Sequence, residues 1–158
     1  MPQQHYTVET FEPVNSIGFL IKRCGSLLTQ MAEVRFESQP ISFTQWLVLM
    51  KLRFPQHLSA TQLSEQIGHD MGAMSRLVDS LERAGLVRRE RSKEDRRAVQ
   101  IALTPQGRKQ LETSTHDVVE MFNETLDPFS KAEVKTMIAQ LHRLMHRLQE
   151  QVESSSVR

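Results

Sequence analysis

The chain has 158 residues, with 20 Lys and Arg against 19 Asp and Glu, 39% hydrophobic residues and a single Cys. One cysteine excludes an intramolecular disulfide framework and a four-cysteine zinc site within one chain, and the length suits one domain or one compact fold with an appended element. The longest apolar stretch, Trp46 to Met50, is far too short to cross a bilayer, and the opening residues carry no basic segment followed by an apolar run, so a soluble cytoplasmic protein is expected.

Aromatics are few at 6%, and apolar residues recur at spacings of three and four over long stretches, which predicts a mainly helical fold. A first long helix follows Pro13 and carries Ile17, Leu20, Ile21, Cys24, Leu27, Leu28, Met31 and Val34 on one face, stopping before Pro40. Thr44 is the expected N-cap of a shorter helix bearing Trp46, Leu47, Leu49, Met50 and Leu52 up to Pro55. Ser59 and Gln62 form a capping-box pattern ahead of Leu63 and Ile67, and Gly68 breaks that third helix. Asp70 caps a fourth, whose inner face is Met71, Met74, Leu77, Val78 and Leu81, and Gly85 stands where a left-handed residue would end it.

Beyond Gly85 the period changes to two. Val99, Ile101 and Leu103 alternate with Gln100 and Ala102, Leu86 to Arg91 supplies a partner strand, and Ser92 to Arg97 is a polar hairpin tip. Helix, turn, helix and charged hairpin is the order of a winged helix-turn-helix with a two- to three-stranded antiparallel wing. Thr104 as N-cap and Pro105 at the first helical position start a fifth helix running to about Thr125, and Ser130 with Glu133 starts a sixth carrying Val134, Met137, Ile138, Leu141, Leu144, Met145, Leu148 and Val152. The polar tail Glu153 to Ser156 is expected to fray. Three long, apolar-striped helices cannot all bury their stripes on so small a module, so residues 1–40 and 104–158 are expected to form a dimerisation region around a DNA-binding module at 41–103. A monomer whose first and last helices pack together is the alternative.

A net charge of +1 argues against a nucleic-acid partner only until its distribution is read. Arg76 to Lys109 holds ten basic and five acidic residues, a balance of +5 against −4 for the remainder. The positive pole coincides with the fourth helix and the hairpin, and a local cluster of arginines is what a duplex backbone requires.

The runs Leu63-Ser64-Glu65-Gln66-Ile67, Ser75-Arg76-Leu77-Val78-Asp79-Ser80-Leu81-Glu82-Arg83-Ala84-Gly85-Leu86-Val87, Asp95-Arg96-Arg97 and Leu103-Thr104-Pro105-Gln106-Gly107 together resemble the MarR family of bacterial transcription regulators. The resemblance spans about residues 15–150 and implies a homodimer on a pseudo-palindromic operator in double-stranded DNA. Physical reasoning makes Met71 to Ala84 the recognition helix, with Gly72, Ala73, Ser75, Arg76, Asp79, Ser80 and Arg83 outward. Arg76 is the foremost candidate for a base-edge or phosphate contact, with a surface pairing to Asp79 or Ser80 as the plain alternative. Thr61 and Gln62 are placed at backbone phosphates, as are Arg91 and Lys93 in the wing. The resemblance makes Asp95 a brace for a wing arginine while Arg96 or Arg97 enters the minor groove.

The same resemblance implies a small anionic aromatic effector, for which Arg23, Trp46 and Met50 are candidates, although Trp46 and Met50 at helical spacing also read as plain core. Cys24 raises a peroxide-sensing alternative, weakened by a single tyrosine, Tyr6, in an N-terminal arm. His142 and His146 have zinc-compatible spacing but no third ligand in the pattern, so no metal or cofactor is expected. No nucleophile-and-base pair, carboxylate pair or Gly-rich phosphate loop is present to support an enzyme. A winged-helix protein-interaction module without DNA binding is the remaining alternative.

Overall fold

The computed structural model describes residues 4–54, 58–91 and 99–156, which fall into two compact units, Met1–Val118 and Val119–Arg158. Among the described residues no helix is long and apolar enough to cross a membrane.

In the first unit, a short 3-10 turn at Pro13–Asn15 leads into α1, Ile17–Phe36, capped by Ser16, whose hydroxyl accepts from the Phe19 amide at 3.3 Å. Helix α2 is Phe43–Lys51. Its cap is Ser42 rather than Thr44: Ser42 Oγ accepts from the Gln45 amide at 3.2 Å and Gln45 Oε1 accepts from the Ser42 amide at 2.9 Å. This reciprocal box satisfies two orphan N–H groups, which Thr44 has no Glu or Gln three residues on to match. The helix also ends earlier than Pro55 would require, with Leu52 as its C-cap.

Helix α3, Ala60–Ile67, starts on the Ser59–Gln62 box and stops at Gly68, whose φ of 74° favours glycine. Replacing Ser59 by Ala removes the acceptor for the Gln62 amide, and urea unfolding should register a loss of about 1 kcal/mol. Helix α4, Met71–Arg83, is capped by Asp70 through the Ala73 amide at 3.0 Å. Its other end is locked by two backbone bonds, Leu86 N–H to Leu81 C=O and Gly85 N–H to Glu82 C=O, both 2.9 Å, with Gly85 at φ 73°. This Schellman closure takes Leu86 out of the strand, so β1 is Val87–Arg91, one residue shorter than the sequence suggested.

Strand β1 pairs antiparallel with β2, Val99–Leu103, in the register Val87 with Leu103 and Arg91 with Val99. Among the described residues the third strand is a single bridge, in which the Ile101 amide donates to the Leu58 carbonyl at 2.9 Å. The core joins Phe36, Trp46, Leu49, Leu63, Met74, Val78, Leu81, Val87, Ile101, Leu103 and Leu111. Met71 does not belong to it. Its side chain is exposed, because the first turn of α4 stands proud of the core that Met74, Val78 and Leu81 reach.

The junction from β2 into α5, Pro105–Leu126, is the tightest point of the unit. Thr104 Oγ1 accepts from the Gly107 amide at 3.0 Å and lies 2.7 Å from the Gly85 carbonyl, to which it donates, while the Thr104 amide donates to Leu86 C=O at 3.1 Å. A Cβ on Gly107 would sit 2.0 Å from the Leu86 carbonyl oxygen, so only glycine lets α5 approach this closely. A part-buried polar cluster also ties α5 to the segment after α1: Ser114, fully buried, donates to Gln39 Oε1 at 3.2 Å and accepts from Gln110 at 2.9 Å, and Gln39 Nε2 donates to Asp117.

In the second unit, α6 is Lys131–Ser156. Glu133 and Ser130 cap it reciprocally, and the hydrogen bonds from Ser130 hold the Glu133 carboxyl below its ordinary range. The tail is helical through Ser156 rather than frayed, with Ser154 and Ser155 hydroxyls returning to the Gln151 carbonyl. Ile138, Leu141, Met145, Leu148 and Val152 form an exposed stripe along α6, and Ile17, Leu20, Ile21, Leu27 and Val34 are exposed along α1.

Candidate nucleic-acid interface

Helix α4 buries Met74, Val78 and Leu81 and turns Gly72, Arg76, Asp79 and Arg83 to solvent, with Ala73, Ser75 and Ser80 partly covered at the edges. Helical side chains lean toward the N-terminus. The Arg76 guanidinium accordingly reaches back over Gly72, where a Cβ would lie 3.6 Å from Nη1. A Cβ at Gly72 would be in ordinary contact with this arginine and tighter, at 3.1 Å, against Oδ1 of the capping Asp70. Among the described residues Arg76 has no ion-pair partner, so the surface pairing with Asp79 or Ser80 is not formed. Asp79 is committed to Arg89, and Ser80 accepts from Gln45 Nε2 at 3.3 Å.

At the start of α3, Thr61 and Gln62 are both exposed. The Gln62 side-chain oxygen Oε1 accepts from the Ser59 amide at 2.9 Å, leaving the side-chain Nε2 as a donor. Arg91 is exposed at the end of β1, whereas Lys93, Asp95, Arg96 and Arg97 lie outside the described residues.

The basic pole is partly neutralised from within. Arg88 pairs with Glu90 along the strand, and Arg89 bridges β1 to α4, donating through Nη2 to Asp79 Oδ1 at 2.5 Å and through Nη1 to Glu82. The Arg89 amide, on the open edge of β1, donates to Glu82 Oε1 at 3.0 Å. Hydrogen bonding to Asp79 above all, and then to Glu82, pushes the Arg89 guanidinium above its ordinary range. The sequence reading passed over Arg89. The signal was the period-two pattern, which places Arg89 on the same strand face as buried Val87 and so toward α4 rather than outward.

Among the effector candidates, Trp46 is buried, stacks on Phe43 at 5.7 Å and donates from Nε1 to Thr115 Oγ1 at 3.2 Å. Met50 is partly buried against the same core, and Arg23 is exposed on α1. Among the described residues no hydrogen bond or ion pair joins Arg23 to either. Cys24 is a free, exposed thiol, and the hydroxyl of Tyr6 accepts from the Ile17 amide at 3.2 Å. His142 and His146 are exposed on α6, and no group of three metal-ligating side chains occurs among the described residues.

Comparison with known proteins points the same way. The MarR family pattern matches residues 41–99, from the start of α2 to the start of β2. An uncharacterized HTH-type transcriptional regulator of Bacillus subtilis, YdgJ, is 30% identical over 116 residues, 73% of this chain and 71% of that protein. The organic hydroperoxide resistance transcriptional regulator of the same organism is 30% identical over 93 residues, 59% of this chain; the chain spans 63% of that relative's length. Among solved structures, the S. aureus MepR–DNA complex aligns at TM-score 0.69 and 25% identity over 84% of this chain and 98% of that one. CouR from Rhodococcus jostii, bound to p-coumaroyl-CoA, shares the fold at TM-score 0.72 and 24% identity over 82% and 92%. With the helix order, the wing and these matches in agreement, the chain belongs to the MarR family of transcription regulators.

Proposed function

We propose that this regulator acts as a homodimer that reads a pseudo-palindromic operator with α4 in successive major grooves, represses the genes behind it, and is released by a small anionic aromatic ligand. The observation that carries the DNA-reading part is the exposed N-terminal half of α4, where Arg76 projects over Gly72 without an ion-pair partner among the described residues. An arginine there can meet guanine O6 and N7 together, with Ala73 and Ser75 beside it and Ser80 at the covered edge. Thr61 and Gln62 contact phosphates at the start of α3, and Arg91 extends the contact into the wing, where the expected roles of Lys93, Asp95, Arg96 and Arg97 belong.

The dimer reading rests on the exposed apolar stripes of α1 and α6, whose side chains gain most by burial against a second copy. The ligand reading rests on Arg23 as the cation and on Trp46 and Met50 as walls, by analogy with CouR, a protein of the same fold bound to p-coumaroyl-CoA. A gel-shift titration of the DNA flanking the protein's own gene, repeated with phenolic acids and with organic peroxide, separates the possibilities. Release by a phenolic acid that is blunted in Arg23→Ala is the expected result. Release by peroxide alone, abolished in Cys24→Ser, would replace this reading with a thiol-based one.

A further inference from the structure

The recognition helix carries two carboxylates close to the surface it would offer to a polyanion. Asp79 and Glu82 stand one turn apart on α4 with side chains 51% and 37% exposed, and Asp79 lies among the outward residues between Arg76 and Arg83. Left alone, each would repel the phosphates that the helix must approach, within the distance of about 10 Å over which charges act at ordinary salt. Neither is left alone. The single guanidinium of Arg89 spans both, one nitrogen to each, and its backbone amide takes the second oxygen of Glu82.

We propose that Arg89 is a positioning residue for DNA binding that works as a fixed counterion: by holding Asp79 and Glu82 it cancels one of the two negative charges of this patch on the recognition helix and fixes the other in an ion-paired network. This inference rests on the DNA-reading role of α4. Arg89 acts through α4, against which two of its guanidinium nitrogens and its backbone amide hold it. Among the described residues Arg76 and Arg83 are left as outward cations without a carboxylate partner, Arg83 Nε donating to the Asp79 backbone carbonyl at 3.4 Å, and the residual negative charge beside them limits indiscriminate phosphate attraction. Arginine is required because its planar fork reaches two carboxylates at once, which a lysine ammonium on a flexible stem does not hold in place.

The test uses the full-length protein, with its flanking-gene duplex and a random duplex of equal length, across a salt series. Arg89→Gln should lose about tenfold or more in affinity for both duplexes at low salt, and the deficit should shrink as salt rises, since it comes from bare carboxylates. Adding Asp79→Asn and Glu82→Gln to Arg89→Gln should restore most of the binding, because the charges needing compensation are gone. Asp79→Asn alone, with Arg89 in place, should bind the random duplex several-fold more tightly than the parent and narrow the discrimination between duplexes. Thermal melting checks that each variant folds, and the Asp79→Asn arm remains decisive should Arg89→Gln fail to. A deficit that persists at high salt, a triple variant no better than Arg89→Gln, or Asp79→Asn with unchanged or weaker random-duplex binding would each overturn the counterion role. A parent protein that binds neither duplex would overturn the DNA-reading role of α4 along with it, an outcome distinct from binding without rescue.

Discussion

Gly107→Ala should be among the most destabilising single-methyl additions in this protein, lowering stability by about 3 kcal/mol. The added Cβ would lie 2.0 Å from the Leu86 carbonyl oxygen, 2.9 Å from its carbon and 3.1 Å from Leu103 Cδ2. Backbone cannot swing aside as a side-chain tip can. That carbonyl also accepts from the Thr104 amide, so relief means separating β1 from the start of α5 and opening the core beside Leu103 and Leu111. For a chain of this size the expected fall in melting temperature is about 6–12 °C. Gly25→Ala is the contrast: a Cβ there meets nothing within 4 Å inside α1, and helix propensity should leave stability unchanged or raise it by up to about 1 kcal/mol. Equal melting temperatures for the two variants would contradict the close approach at Gly107.

Arg76→Ala should leave melting unchanged and cost about 1–3 kcal/mol of operator binding, roughly 5- to 150-fold in Kd. The side chain is exposed and without an ion-pair partner among the described residues, so little of the fold depends on it. Arg76→Lys separates two contributions. A lysine keeps a charge for phosphate but not the planar fork, so retained random-duplex affinity with lost operator preference indicates base reading, whereas full retention of both indicates phosphate contact alone. Unchanged operator affinity in Arg76→Ala would remove the N-terminal half of α4 from the interface.

The architecture was legible because its boundaries are chemical. Ser59 with Gln62, Asp70, Gly68, Gly85, Thr104 and Ser130 with Glu133 each satisfy helix-end groups in ways that leave a sequence mark, and the change of period after Gly85 marks the strands. The misplaced start of α2 shows the limit of reading one residue at a time: Thr44 is an acceptable cap, but Ser42 has a partner and Thr44 has none. Met71 was misplaced because helical period alone does not say where the core ends along a helix.

The motifs that carry the family resemblance are mostly structural in this chain. Glu82 binds the open edge of β1 through Arg89, Gly85 closes α4, and Thr104 and Gly107 seat α5 against Leu86. Their pairing across the fold is what sequence spacing does not reveal, since Glu82 and Arg89 or Gly85 and Thr104 meet only once the strands turn back on α4. For the same reason the +5 balance of the positive pole does not say which arginines are available: the guanidiniums of Arg88 and Arg89 are held by neighbouring carboxylates, and only coordinates separate a held arginine from an available one. The apolar stripes of α1 and α6 were legible from their helical spacing, and Ile17, Leu20, Leu141 and Leu148 are exposed along them.

The central claim is that two copies of α4 read one symmetric site. Hydroxyl-radical footprinting of the protein on the DNA flanking its own gene tests this directly. The expected result is two protected half-sites related by two-fold symmetry with centres about one helical turn apart, lost together in Arg76→Ala. Protection of a single unsymmetric segment, or none at protein concentrations that saturate a symmetric control operator for another winged-helix dimer, would contradict it.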